Sequence, residues 1–340
     1  MTTSILNDPE LLSLREKHFS KLKKLFDGKY DSPNAFALMG INGAQPAVLG
    51  DCPEVKVSDA LNELALHKDL LKDEITFRPL TVEFDIYGVH FADKIFGAEV
   101  YTVDDSWQVK TLDREPGALQ KPDLDNCPTW ILARDLAKEF VKSNVKVPLF
   151  GLPTISSALN VSVNLYGQEI LLSMLTDPEA TNRDLKIIND VLCEIHKWYL
   201  ANVPLEQLQP VISWERTQPP GFGQLCGCTT QLVSPEMYNK FIAPLDEKVL
   251  SLYPNGGMIH LCGSHTQHIP TWRNMKSLRS MQLNDAAAED LQFYFDGLRD
   301  DQILYVNTCP RMTTEKIMKI TRGKRVVIVT PEINPNIIKL

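Results

Sequence analysis

The sequence contains no run approaching the ~18 consecutive apolar residues of a membrane span, although 44% of its 340 residues are hydrophobic. It also lacks a basic excess, since 35 Lys and Arg stand against 43 Asp and Glu for a formal net charge of −8. Nucleic acid and anionic membrane surfaces are therefore excluded as main partners, because both call for basic patches. The start, Met1-Thr2-Thr3-Ser4 followed by Asp8, Glu10 and Glu16, has none of the basic-then-apolar pattern of a signal peptide. A soluble, cytoplasmic protein is expected. Cysteines are few, odd in number and scattered, at Cys52, Cys127, Cys193, Cys226, Cys228, Cys262 and Cys309, which argues against a disulfide framework. No Gly-x-Gly-x-x-Gly opens a helix after the first candidate strand, so a dinucleotide-binding fold loses its main support. Internal repeats and low-complexity tracts are absent as well.

What is present suffices for a full core. Asp8 to Leu25 sets Leu11, Leu12, Leu14, Phe19, Leu22 and Leu25 between charges, the spacing of a helix that ends near Gly28. Asp31 to Val57, rich in Gly, Pro and small residues, reads as loops and turns, and helical spacing resumes from Val57 to Leu71. Residues 1–75 are thus expected to form an N-terminal extension or cap on a domain spanning 76–340. From Thr76 onward, short apolar or β-branched runs alternate with helical patterns. Candidate strands are Thr76–Asp85, Ala98–Val103, Val147–Leu152, Pro210–Glu215, Met258–Cys262, Ser280–Leu283, Ile303–Thr308 and Arg325–Thr330. Strands alternating with helices predict parallel β/α units in an α/β fold, and this number suits a closed (β/α)8 TIM barrel better than an open sheet.

The chemistry centres on Gly256-Gly257-Met258-Ile259-His260-Leu261-Cys262-Gly263-Ser264-His265. Residues two apart on a strand point to the same side, so His260 and Cys262 present an imidazole and a thiol together. Zinc takes such a pair and needs one or two further ligands; the alternative is a buried Cys beside a satisfied His. In a barrel, chemistry gathers at the C-terminal ends of the strands. Those positions hold Glu83, Asp85, Tyr87, Thr154, Trp214, Glu215, Arg216, Asn284, Asp285, Asn307, Cys309 and Glu332. The Gly-rich loop Pro219–Thr230 carries Cys226 and Cys228 over the same opening, so Cys228 and Cys309 join His260 and Cys262 as candidate metal ligands. Arg216 and Arg78 can hold a carboxylate bidentately or serve as structural ion pairs. Asp85, Asp285 and Arg216 are the candidate catalytic residues, with Glu83, Tyr87, Arg78, Asn284 and Asn307 as candidate substrate contacts. His90, His265 and His268 read as satisfied or loop histidines, and Cys52, Cys127 and Cys193 as structural.

Several segments resemble the uroporphyrinogen decarboxylase-like superfamily, which includes the decarboxylase and zinc-dependent methyltransferases that work with corrinoid proteins. They are Gly151-Leu152-Pro153-Thr154, Leu175-Thr176-Asp177-Pro178-Glu179, Leu232-Val233-Ser234-Pro235-Glu236-Met237-Tyr238 through Ala243-Pro244, and Ile259-His260-Leu261-Cys262-Gly263. The resemblance runs roughly from Phe77 to Ile333. It departs from the decarboxylase because Phe36 to Gly50 holds no arginine, where that enzyme has an arginine-rich segment. It matches the methyltransferases at His260 and Cys262. Their remaining cysteine ligand comes from the last strand, where this chain has Val329-Thr330-Pro331-Glu332. Cys228 is the first substitute, Cys309 the second and the Glu332 carboxylate the third.

The resemblance implies a zinc-dependent methyltransferase that moves a methyl group between a small methylated substrate or thiol and a corrinoid (cobalamin) carried on a partner protein. Two other classes stay open. One is a metal-free carboxy-lyase in which Arg216 and Arg78 orient carboxylates while Asp85 or Asp285 steadies a developing cation. The other is a non-catalytic barrel.

Overall fold

A computed structural model describes residues 2–28, 35–41, 44–210 and 212–338. The architecture is α/β with parallel sheets. The first long helix, Pro9–Phe26, begins where expected: the Asp8 side chain caps it by accepting from the Glu10 N–H, and Pro9 occupies the first turn. Its apolar stripe of Leu11, Phe19, Leu22, Leu25 and Phe26 is buried against the main core.

Ten strands build the two larger parallel sheets: β1 (Phe36–Leu38), β2 (Thr76–Phe77), β3 (Thr81–Val82), β4 (Leu149–Gly151), β5 (Leu208–Gln209), β6 (Gly223–Cys226), β7 (Gly257–Leu261), β8 (Leu278–Leu283), β9 (Ile303–Asn307) and β10 (Val326–Val329), while Gln45–Pro46 and Phe84–Asp85 pair as a small third. Seven of them form one sheet in the order β6-β7-β8-β9-β10-β1-β2, and β3-β4-β5 form a second. The chain between β2 and β3 joins the two, while strand pairing among the described residues does not close them into a ring. β9 (Ile-Leu-Tyr-Val-Asn) and β10 (Val-Val-Ile-Val) are buried along their whole length, as expected for strands covered on both faces. Parallel pairing leaves His260, Gln282, Cys226 and Asn307 at the C-terminal ends of adjacent strands, with Cys226 opposite His260 and His260 opposite Gln282.

Several expectations are corrected. Phe36–Leu38, expected among the loops of a cap, is a strand between β10 and β2, so the first 75 residues contribute to the sheet. Residues 31–34 and 42–43 of that expected loop region lie outside the described residues. Thr76–Asp85 is broken into short pieces around Pro79, which has no N–H to give to a ladder. Glu99–Val103 belongs to an antiparallel hairpin with Ser106–Lys110, away from the parallel sheets. Its turn residues Asp104 and Asp105 both have positive φ, 48° and 60°, the geometry of a tight two-residue hairpin. Within Pro210–Glu215, Val211 lies outside the described residues and Ser213–Arg216 is a helical turn; the strand is Leu208–Gln209, just upstream. The Gly-rich loop contains a strand, β6, which pairs with β7 from Gly223↔Gly257 to Cys226↔His260.

Candidate metal centre

β6 ends at Cys226, and Gly227 then donates its N–H to the His260 carbonyl at 2.9 Å. Only glycine fits there comfortably, since a Cβ on Gly227 would stand 2.9 Å from Ile259 Cγ2. The turn Cys228–Leu232 starts at once and swings the next thiol toward the end of β7. Cys228, His260 and Cys262 converge, their donor atoms all within 4.8 Å of one another. Cys228 Sγ lies 3.4 Å from Cys262 Sγ, and His260 Nε2 lies 3.0 Å from Cys262 Sγ. A tetrahedral zinc at ~2.0 Å from nitrogen and ~2.3 Å from sulfur would hold such atoms roughly 3.5–3.8 Å apart. The donor set of two sulfurs and one nitrogen therefore fits zinc, the two separations given falling short of that spacing by roughly half an ångström or less.

The imidazole is oriented from behind. His260 Nδ1–H donates to Gln282 Oε1, which also accepts from Arg216 Nε at 3.0 Å. Gln282 Nε2 donates to Asn307 Oδ1 at 2.5 Å, and Asn307 Nδ2 donates to Glu215 Oε1 at 2.8 Å. With Nδ1 engaged, Nε2 is the nitrogen that faces the thiols. Burial, and then the Arg216 charge, hold His260 below the usual histidine range, so the ring is neutral and fit to ligate. The hydrogen bond that Cys228 donates lowers the Cys262 thiol, aided by His260 and Arg216, and the same bond raises Cys228.

His265 and His268, expected as loop or helix-start residues, are both fully buried and clamp the turn that carries Cys228. His268 Nε2–H donates to the Thr230 carbonyl at 2.8 Å, and His265 Nδ1–H donates to Thr230 Oγ1 at 2.8 Å, whose own proton goes to the Gly227 carbonyl. On the other side, Asn160 Oδ1 accepts from the N–H and hydroxyl of Thr229.

The other anticipated residues divide. Arg216, Asn307 and Glu215 join the network around His260, and burial raises the Glu215 carboxyl. Glu83 is buried near Arg216, accepts from the Ser213 N–H at 2.6 Å, and is lifted by burial to about 7. Asp285 is exposed at the start of the short helix Asp285–Glu289, at a φ of 47°, and Asn284 contributes its backbone N–H to the Leu261 carbonyl. Asp85 is committed to the Gly88 N–H (2.6 Å) and the Trp107 indole (3.2 Å), and Tyr87 packs edge-on against Trp107. Arg78 is committed to Asp73 and to the Met39 and Pro331 carbonyls. Cys309 pairs through its backbone with Met312 and lies outside the cluster, as does the exposed Glu332. Cys226 instead takes hydrogen bonds from Arg216 Nη1 (3.7 Å) and Gln224 Nε2 (3.6 Å). His90 is satisfied by Asp93 at 2.7 Å. Gln282 was not anticipated; its signal is a polar residue between Met281 and Leu283 in the buried end of β8, opposite His260.

No family model matches the chain, and a search of curated proteins finds no similar sequence. Solved structures do match. A methyltransferase from Methanosarcina mazei aligns over 95% of this chain and 96% of its own, at 11% identity and a TM-score of 0.61. A B12-independent methionine synthase from a Shewanella species, in complex with selenomethionine, aligns over 91% and 92% at 10% identity and a TM-score of 0.45. No helix among the described residues is long and apolar enough to cross a membrane. The chain shares its fold with the Methanosarcina methyltransferase over nearly its whole length.

Proposed function

We propose that the chain is a zinc-dependent methyltransferase built on a (β/α)8-type barrel, with Cys228, His260 and Cys262 as its metal ligands. The observation that carries this reading is the convergence of two thiols and one imidazole from separate elements, with the imidazole fixed by an amide behind it. Cys228, His260 and Cys262 would hold the metal with three protein ligands, and a zinc so held would keep an exchangeable position for a substrate, as catalytic rather than structural zinc does. Bound there, zinc supplies Lewis acidity that brings a substrate thiol to its thiolate at neutral pH, the form that accepts a methyl group.

The chain's own residues prepare the site. Gln282 keeps Nε2 of His260 toward the metal position and holds its proton on Nδ1. Gly227 and the clamps on Thr229 and Thr230 fix Cys228 over Cys262. Glu83 and Glu215, both held toward their neutral forms by burial, limit the negative charge around the thiols. The methyl group's other carrier is a corrinoid on a partner protein, and the small substrate is a methylated donor or a thiol acceptor.

The test is elemental analysis of reduced protein purified without a metal-binding tag, for wild type beside His260→Ala, Cys262→Ser and Cys228→Ser. About one zinc per chain, lost in each variant, followed by thiol-dependent demethylation of a methylated corrinoid, supports the reading. A reduced wild type that neither holds nor takes up zinc overturns it.

A further inference from the structure

Two of the seven cysteines meet. Cys228 Sγ donates to Cys262 Sγ across 3.4 Å, and no other pair of sulfurs among the described residues shares a hydrogen bond. The contact follows from strand register: Cys226 stands opposite His260, and Cys228 and Cys262 each lie two residues further along the neighbouring chains. Neighbouring strands run ~4.7–4.9 Å apart, within the ~4.4–6.8 Å between Cα atoms that a disulfide spans. An S–S bond of about 2.05 Å therefore needs the two sulfurs to close by roughly 1.4 Å, the reach of a side-chain rotation. Both residues are half-buried, so a small solute reaches them, whereas Cys193 and Cys226 are buried. The Cys226 sulfur is moreover engaged by Arg216 Nη1 and Gln224 Nε2. An accessible sulfur with a second thiol beside it is the arrangement in which oxidation stops at a reversible disulfide.

We propose that Cys228 and Cys262 form an oxidation site, at which a small hydroperoxide converts the dithiol to a disulfide and so takes away two of the three metal ligands. With hydrogen peroxide, Cys262 Sγ, the acceptor of the S–H···S bond, attacks a peroxide oxygen. The O–O bond breaks, an S–O bond forms, and the leaving hydroxide departs as water with the thiol proton. Cys228 Sγ then attacks the sulfenic sulfur. An S–S bond replaces the S–O bond, and the second hydroxide departs as water with the Cys228 proton. The two sulfurs together give up two electrons, and the peroxide is reduced to two waters. A disulfide has no thiolate to offer zinc, so the metal and the S–S bond compete for the same atoms. A thiol reductant reverses the change by exchange. The inference rests on the metal-centre reading for its effect on zinc, but the oxidation itself needs no metal.

The experiment titrates the protein as purified, reduced and then freed of reductant, with hydrogen peroxide. Remaining thiols are alkylated, linked peptides are mapped by mass spectrometry, and zinc uptake is measured before and after. The expected result is that the Cys228–Cys262 link is the first to appear, with about two thiols lost for each peroxide consumed. Zinc uptake should fall from about one per chain to none in the linked fraction, and dithiothreitol should restore both. Cys228→Ser should halt the reaction at a sulfenic acid on Cys262, trapped by dimedone, and Cys226→Ser should leave the link unchanged. Because the mapping is made first on wild-type protein, it does not depend on any variant folding. A first link through Cys226 or Cys309, a link only between chains, or oxidation of Cys52 ahead of the pair overturns the proposal. So does linked protein that takes up zinc as before. A chain that forms the link but takes up no zinc when reduced keeps the oxidation site and overturns the zinc-dependent function; one that takes up zinc but never forms the link does the reverse.

Discussion

Replacing Gln282 by alanine asks whether the buried amide, rather than the two thiols alone, makes the metal site. Its Oε1 accepts from His260 Nδ1 and Arg216 Nε, and its Nε2 donates to Asn307 Oδ1. Alanine removes all three contacts in a place that water reaches poorly, since Gln282 is fully buried. The imidazole is then free to rotate or change tautomer. Loss of such an outer partner costs roughly 10–100-fold in metal affinity, about 1.4–2.8 kcal/mol at ~1.4 kcal/mol per tenfold. A separate penalty falls on the fold, because each buried group left without a partner costs roughly 1–3 kcal/mol. Gln282→Glu separates the two: it keeps an acceptor for His260 and Arg216 and gives up only the donor to Asn307. The assay is zinc titration in competition with a chromophoric chelator, with far-UV circular dichroism confirming that each variant is folded. Folded Gln282→Ala should bind zinc roughly 10–100-fold more weakly, and Gln282→Glu should match or exceed wild type. Wild-type affinity in folded Gln282→Ala, or an equal loss in both variants, would refute the positioning argument.

Cys228→Ser should lower zinc occupancy well below one per chain while Cys309→Ser leaves it unchanged, because only the former thiol stands at the cluster; equal loss in both, by elemental analysis, would contradict the assignment. Burial lifts Asp246 from 3.8 to about 7, even though the Tyr238 hydroxyl donates to it at 2.8 Å. The native state thus keeps a proton that the unfolded chain releases, a stabilisation present below about pH 4 and lost as pH rises through 7, worth on the order of 4 kcal/mol. Asp246→Asn should therefore gain on wild type between pH 5 and pH 8 in urea unfolding, and parallel curves would count against it; Glu83 leaves a residual slope of the same sign. Gly257→Ala would set a Cβ 2.5 Å from the Gly223 carbonyl oxygen on β6 and should lower the urea midpoint by an amount equal to roughly 3 kcal/mol; an unchanged midpoint would show that β6 and β7 yield easily.

The parts of the fold that were legible are those where burial alone decides the residues. β7, β9 and β10 are mostly apolar and β8 is buried over most of its length, and their expected positions differ from the observed ones by a residue or two. β1 and β6 were hidden because Phe-Ala-Leu and Gly-Gln-Leu-Cys sit among glycines and prolines, and such short strands take their stability from neighbours rather than from β-propensity. Near the strand ends the sequence does not reveal which local partners a side chain takes: Asp85 accepts from the Gly88 N–H and the Trp107 indole, and Arg78 donates to two carbonyls. The thiols show the limit most clearly. His260 and Cys262 could be paired by strand periodicity, and Cys228 could be placed near them because its loop precedes β7. Cys226 and Cys228 are also two apart, so the same periodicity would put both on one side. Strand geometry stops between them. Cys226 is the last residue of β6, opposite His260 and beside Arg216, whereas Gly227 leaves the extended region and Cys228 begins a tight turn. Which of the two sulfurs reaches Cys262 is therefore set by that one backbone change, which depends on the Gly227 contact with β7 and is visible only once the two strands are side by side.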